Sequence, residues 1–456
     1  MATTPQIEQD ARASERYAQR VNREWVRLLD LLQMNVRYER CVGVELCTED
    51  GRRILDFLSG YCVHNVGHNH PDVVQALQAE LERSGPAMIQ THVASLAGEL
   101  AEKLCERAGG RLRRAFFCSS GSEGVEAAIK FARAHTRRAG ILSAEHAFHG
   151  LTCGALSLMS DKFWSEGFGP LLPDTAAIPF GDLEALEREL KTKRFAAFIV
   201  EPIQSEAGVC VPHRDYLRIA ESMCRRYGTL FVLDEVQTGM YRTGPFLAAH
   251  RFEVEPDMVV MAKAMSGGLV PCGAVLMSDA VCNSVYSSLP RAFVHTSTFS
   301  ENSLAMRAAL ATLDVLENEE LGQRSIEAGN YLQARLSEAL RDFEMVKEVR
   351  GAGLLMGIEF QAPRQLRLGI PYQAFAAVHP AMFGQIVVMR LFRDSGFLTQ
   401  ICGNNFMVLK VAPPLVVTDA QLDAFVRAVR DVVELAHSPG AFWSEALGLA
   451  RRAFRS

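Results

Sequence analysis

The chain has 456 residues, 48% apolar and 22% charged, with 34 glycines and 18 prolines, which is globular composition and excludes disordered, collagen-like and coiled-coil chains. Its 48 basic and 53 acidic residues leave a net charge of −5 without a basic block, so no nucleic acid partner is expected. No apolar run approaches the ~18 residues of a membrane span, and a polar start with Glu8, Asp10 and Glu15 is unlike a secretory signal. The expectation is a cytoplasmic protein of two or three domains.

In chain order, Tyr17–Leu32 predicts an amphipathic helix with Val21, Trp25, Leu28 and Leu32 on one face, packed on another part of the molecule. Val42–Phe57 reads as short strands around the turn Glu49-Asp50-Gly51. Pro71 opens a helix with Val73, Val74, Leu77 and Leu81. A βα alternation follows: strands at Ala115–Cys118, Ala196–Val200, Leu230–Leu233 and Val259–Met261, helices at Glu123–His135 and Tyr216–Arg226. Short, continuously apolar strands between helices predict a mostly parallel sheet covered on both faces. Beyond Ser303 come helices at Leu304–Glu317 and Ser325–Phe343, strands at Leu354–Phe360 and Phe406–Val411, and a helix at Asp419–Leu435. This is a smaller α+β unit joined by the N-terminal strands. The expected division is an N-terminal arm with strands over 1–70, a large domain over 71–320 and a small domain over 321–456.

Eleven cysteines stand singly with no Cys-x-x-Cys pair, which fits buried thiols in a reducing compartment. His64, His68 and His70 invite a metal reading, but Pro71 breaks the segment and no carboxylate sits at helical spacing; a turn before a helix is the better reading, and no metal is expected. The zinc-protease, Walker and serine-hydrolase signatures are absent.

Three segments carry chemistry. Cys118-Ser119-Ser120-Gly121-Ser122-Glu123 follows a strand and opens a helix, where hydroxyls and free N–H groups can hold a phosphate; a plain serine cap is the alternative. Asp234 ends a buried strand, where a desolvated carboxylate needs a cationic partner, or else serves as a cap or a structural ion-pair member. Lys263 follows the apolar run Met258–Met261 and precedes the small residues Ser266-Gly267-Gly268. A partly desolvated lysine there has a lowered pKa and can act as a Schiff-base nucleophile, although a surface lysine at a strand end is the bland alternative. Together an anion site, a strand-end carboxylate and a strand-end amine meet the needs of pyridoxal phosphate. Phe148, in Ala147-Phe148-His149-Gly150, could stack on its ring.

On these segments the sequence resembles the class III pyridoxal-phosphate aminotransferases of fold type I over about residues 40–435, most closely the ornithine and putrescine aminotransferases. The shared motifs are Gly67-His68-Asn69-His70-Pro71, Ser120-Gly121-Ser122, Phe148-His149-Gly150, Glu201-Pro202, Gln204–Gly208, Asp234–Gly239, Lys263 and Thr296–Asn302. The resemblance implies an α/β fold with a large, mostly parallel sheet and a smaller α+β domain, and a homodimer with shared active sites. It also implies that Asp234 pairs with the pyridine nitrogen, that Lys263 forms the Schiff base, and that Gln237 bonds the ring hydroxyl. Ser120, Gly121, Ser122, Phe148, His149 and Glu201 would complete the cofactor site, and Thr298 would reach the partner's phosphate. Tyr61, Leu151, Glu206 and Lys410 fall at the substrate, Glu206 as a gate glutamate that some members pair with arginine.

The departures concern the substrate. Leu151 stands where the ornithine-type enzymes carry an arginine, and Lys410 replaces the arginine before Ala412-Pro413-Pro414, which in the family grips a carboxylate. Ser300-Glu301-Asn302 replaces Gly-Gly-Asn. The Phe148–Thr152 and Lys410–Pro414 regions are similar to the hopanoid-pathway aminotransferases as well. The expected reaction moves an amino group from a terminal primary amine to an oxo-acid through Lys263. An aminomutase is the alternative, and a non-catalytic scaffold a more remote one. Arg390 or Arg393 could replace the missing arginine. The apolar stretch 375–389 is either a core helix of the small domain or a lining for a bulky donor, and the basic tail Phe442–Arg455 is expected to dock on the small domain.

Overall fold

The structure is a computed structural model that describes residues 13–89, 91–365, 368–369, 372–373, 382–438 and 440–454. Strands β1 (Tyr38–Val42), β2 (Glu45–Thr48) and β3 (Arg53–Asp56) form an antiparallel sheet. The large sheet is built from β4 (Arg114–Cys118), β5 (Gly140–Ala144), β6 (Thr175–Ile178), β7 (Phe195–Val200), β8 (Leu230–Asp234), β9 (Met258–Met261) and β10 (Gly273–Met277) in the order β4-β10-β9-β8-β7-β5-β6. Strands β5 to β9 pair in parallel, and β10 runs antiparallel to both its neighbours. Every residue of β5, β7, β8, β9 and β10 is buried, as unbroken apolar runs in a two-sided sheet require. The sequence pattern shows β4, β7, β8 and β9 but not β5, β6 or β10. Those strands carry glycine, alanine or serine, whose weak strand preference hides them. Gly140 is needed at the head of β5, because a Cβ there would lie 2.8 Å from the Arg194 carbonyl oxygen.

The third sheet contains β11 (Val346–Ala352), β12 (Leu355–Phe360), β14 (Gln400–Ile401) and β15 (Val408–Val411) in the antiparallel order β11-β12-β15-β14. Between them in sequence, β13 (Phe397–Leu398) pairs in parallel with β3, so the first sheet is closed by a strand from the far end of the chain. The helix Asp419–Ala436 starts at a reciprocal cap between Thr418 and Gln421 and buries Leu422, Phe425, Val429 and Val433.

The stretch 375–389 divides. Residues 374–381, Phe375 and Val378 among them, lie outside the described residues. Phe383, Ile386, Val387, Val388 and Met389 lie on the helix Met382–Ser395 and are buried in the core, so this part fills the small unit. The tail helix Ala441–Phe454 docks through Phe442 and Trp443, which are buried beside Phe383, and through Glu445, which pairs with Arg390 and Arg393. The N-terminal helix meets the tail helix and packs on the core through Leu31 and Leu32 as expected, but it is broken at Val21–Asn22 and the rest of its apolar face is only partly covered. Arg23–Leu31 carries no buried residue, and Val21, Trp25 and Leu28 stay exposed; only Leu32, at its end, is buried.

Two features hold the sheets together near the site. Arg242 is fully buried, and its guanidinium donates to the carbonyls of Leu354 at 3.0 Å and Pro413 at 2.5 Å, to Ser59 Oγ at 3.2 Å and to Asn65 Oδ1. Residues Ser59, Gly60, Tyr61 and Cys62 have φ of 46°, 63°, 62° and 67°, a left-handed turn that three of the four side chains disfavour. The turn persists because the Asp56 carboxylate accepts from the Leu58 and Ser59 amides at 2.9 and 2.7 Å, and Ser59 Oγ donates to the Ala412 carbonyl at 2.7 Å.

Candidate active site

The carboxyl ends of β4, β7, β8 and β9 open on one edge of the large sheet, the edge where α/β folds bind ligands. A cavity of about 410 Å³ lies there, lined by Ser119–Ser122, Phe148–Gly150, Glu201, Asp234, Gln237, Lys263 and the loop Gly268–Cys272. After β4, Ser120 caps the helix Gly121–Thr136 by accepting from the Glu123 amide at 3.3 Å, while the Glu123 carboxylate accepts from the Ser119 amide at 2.7 Å. The first turn is thereby fixed with the positive end of the helix dipole toward the cavity. The backbone is close-packed here. A Cβ on Gly121 would come within 2.9 Å of Val236 Cγ2, and one on Gly150, whose φ is 114°, within 2.0 Å of Ser122 Oγ.

Beneath the cavity, Asp234 Oδ2 meets His149 Nδ1 at 2.8 Å, and Asp234 Oδ1 accepts from the Val236 amide at 3.1 Å. Burial disfavours a charged His149, but the bond to Asp234 and its negative charge outweigh that, and the pKa is raised. Glu201 accepts from the Phe148 amide at 2.9 Å and the Ser205 amide at 3.2 Å, and burial pushes its carboxyl up to about 7. Lys263 opens a short 3-10 turn at φ 48°, and its pKa is lowered, chiefly by burial. His149 Nε2 is buried without a hydrogen-bond partner. A ligand carrying an anion for the helix start, a basic nitrogen for Asp234 and an aldehyde for Lys263 fits this donor set, and pyridoxal phosphate is such a ligand.

Next to the cavity sits a second cluster. Lys410, 0% exposed on β15, pairs with Glu206, 7% exposed. Glu206 Oε1 also accepts from Gln237 Nε2 at 3.1 Å, and Oε2 from the Gly403 amide at 2.8 Å. Gln237 Oε1 in turn accepts from Ser205 Oγ at 3.0 Å. Burial opposes both charges of the pair, but mutual attraction wins: the Glu206 pKa falls and that of Lys410 rises. The Tyr61 ring, carried by the left-handed turn, lies 5.3 Å from Lys410 Nζ.

Of the residues expected from the sequence, Ser120, Gly121, Ser122, Phe148, His149, Glu201, Asp234, Gln237 and Lys263 share the cavity. Tyr61, Glu206 and Lys410 adjoin it through Gln237. Leu151 is half exposed and Thr298 lines a different cavity of about 420 Å³ with Met88, Ile89, His92 and His295. Arg390 and Arg393 are taken up by Asp394 and Glu445. Of the three clustered histidines, His68 bonds Asp56 at 2.7 Å, His70 bonds Glu319 at 2.9 Å, and His64 stacks on His68. Among the described residues no cluster of metal-binding side chains occurs. Sequence reasoning missed Trp164 and Asn404. Trp164 Nε1 donates to Asn404 Oδ1 at 2.6 Å across 240 positions, a contact with no local signal.

The sequence profile of the family described as Aminotransferase class-III matches residues 30–433. The aminotransferase PigE of Serratia sp. (strain ATCC 39006) is 35% identical over 451 residues, which cover 92% of this chain and 53% of PigE, so the chain spans about half the length of that relative. Ornithine aminotransferase from Toxoplasma gondii is 30% identical with a TM-score of 0.78, covering 88% of this chain and 91% of that one. A thermostable (S)-enantioselective omega-transaminase from Thermomicrobium roseum is 30% identical with a TM-score of 0.77, over 88% and 93% of the two chains. The chain belongs to the class III aminotransferases, whose cofactor is pyridoxal 5′-phosphate.

Proposed function

We propose that this chain transfers an amino group from a primary amine, reacting at a terminal carbon with no carboxylate beside it, to an oxo-acid. One observation carries the reading: among the described residues the cavity lining holds no arginine, and Lys410, where the family grips a carboxylate, is buried in a pair with Glu206. Arginine binds a carboxylate through two parallel bonds, whereas a paired lysine has neither the fork nor the free charge.

When bound, pyridoxal phosphate supplies an electron sink for the donor carbon. Ser120, Gly121 and Ser122 would hold its phosphate at the helix start, and Asp234, oriented by His149, would keep a proton on its ring nitrogen. Phe148 would pack on the ring face, and Glu201 fixes that loop through the Phe148 amide. Lys263 Nζ, discouraged from protonation by burial, would be the amine that anchors the cofactor, and once freed it would be the base that holds and moves a proton beside the donor carbon.

The division into 1–70, 71–320 and 321–456 belongs to the same reading, as does a homodimer in which Thr298 serves the partner's phosphate. Eleven unpaired cysteines support a reducing, cytoplasmic setting. Among the described residues no helix is long and apolar enough to cross a membrane.

The test is a set of half-reactions with ornithine, a simple diamine and a larger apolar primary amine, on wild type and Lys410→Arg. The expected order is apolar amine, then diamine, then ornithine, with Lys410→Arg gaining on α-amino acids. Fastest reaction through an α-amino group, unchanged by Lys410→Arg, overturns the proposal.

A further inference from the structure

We propose that Phe163 and Trp164 form the surface that binds the apolar tail of the amine donor. The inference rests on the reading of the donor as a carboxylate-free primary amine and says where its remainder goes. Phe148 lines the cavity beside Lys263. From it a run of edge-to-face rings leads outward: Phe148 to Trp164 with centroids 5.3 Å apart at 76°, Trp164 to Phe163 at 4.9 Å and 83°, and Phe163 to Phe406 at 6.3 Å and 85°. Phe163, the third ring of the run, is 70% exposed. A single exposed phenylalanine needs no explanation, but one that lies on an unbroken aromatic path from a reaction cavity offers an apolar ligand a continuous surface.

Trp164 is fixed for this role rather than loosely placed. Its Nε1 donates to Asn404 Oδ1 at 2.6 Å. Asn404 is itself held, through Nδ2 to the His146 carbonyl at 2.8 Å and through its amide to the Glu206 carbonyl at 2.9 Å. A Cβ on Gly403 would lie 3.1 Å from the indole ring and 3.2 Å from Glu206 Oε2, so the indole edge and the Glu206–Lys410 pair flank one backbone turn. A donor tail passing Phe148 therefore meets an aromatic face where the neighbouring charges already satisfy one another. Among the described residues, the apolar side chains 383 and 386–389 are buried in the core and leave no lining for this purpose.

The experiment follows the first half-reaction of the holoenzyme with butylamine, hexylamine and octylamine, and measures competitive inhibition by butan-1-ol and octan-1-ol. In wild type each added methylene should raise kcat/KM about three- to fourfold, the worth of a buried CH₂. Octan-1-ol should inhibit and butan-1-ol should not. Trp164→Ala should lower kcat/KM for octylamine about 20-fold or more through KM, leave butylamine within about threefold, and abolish inhibition by octan-1-ol. Phe163→Ser, at an exposed position that folding does not need, should flatten the chain-length series in the same sense, and Trp164→Phe should keep most of it. Amines that all react equally, or variants that lose butylamine and octylamine alike, overturn this inference while leaving the donor class standing. Failure of every monoamine beside rapid reaction of α-amino acids overturns both.

Discussion

The cofactor end of the site, around Lys263, Asp234 and Ser120, is made by segments that leave strands of one sheet, whereas the substrate end joins three sheets. Tyr61 follows β3, Glu206 follows β7 and Lys410 lies in β15. At the first end, groups are fixed by backbone amides and caps within a few residues, such as Glu123 on Ser119 and Val236 on Asp234. At the second, a carboxylate and an ammonium 204 positions apart neutralise each other in a buried place. A long-range pair can change partner by one substitution, and that is the end where this chain departs from the family's pattern.

The largest expected effect is at the cofactor end. Lys263→Ala should lose transamination by about 10³-fold or more, since it removes both the covalent anchor and the proton carrier. Borohydride treatment followed by peptide mass analysis should then find no cofactor-modified lysine; a modified lysine elsewhere would mean that the end is less specialised than its geometry.

Next comes the long-range pair. Glu206→Gln or Lys410→Met alone should each destabilise the protein by about 3–5 kcal/mol, because each leaves a buried charge uncompensated. The double variant should cost well below the sum. Urea unfolding of cofactor-free protein reads both; single losses below about 1 kcal/mol would show a solvated, movable pair and erase the contrast between the ends.

A smaller effect separates them by pH. Glu201 titrates at about 7 in the folded chain against 4.5 ordinarily. The folded state therefore binds the extra proton between those values, and stability should fall as pH rises through that window, on the order of 3 kcal/mol in all. Glu201→Gln should remove this slope, while the Glu206→Gln/Lys410→Met double variant, which leaves no buried charge unpaired, should keep it. An unchanged slope in Glu201→Gln would assign the titration to another group.

The sequence by itself determined the parallel strands β7, β8 and β9, the helix after β4 and the residues at their ends, because apolar runs, caps and strand-end charges are local patterns. By those rules Ser120, Asp234 and Lys263 were legible as a helix cap, a buried carboxylate and a buried amine. Only the tertiary structure decided that Lys410 is spent on Glu206, that Trp164 leans on Asn404, and that the amphipathic face of Trp25 and Leu28 stays uncovered by this chain. It also decided that a left-handed turn holds Tyr61 beside Lys410. The reason is physical: each of these depends on groups from different sheets meeting in space, and neither periodicity nor composition records a contact across hundreds of residues.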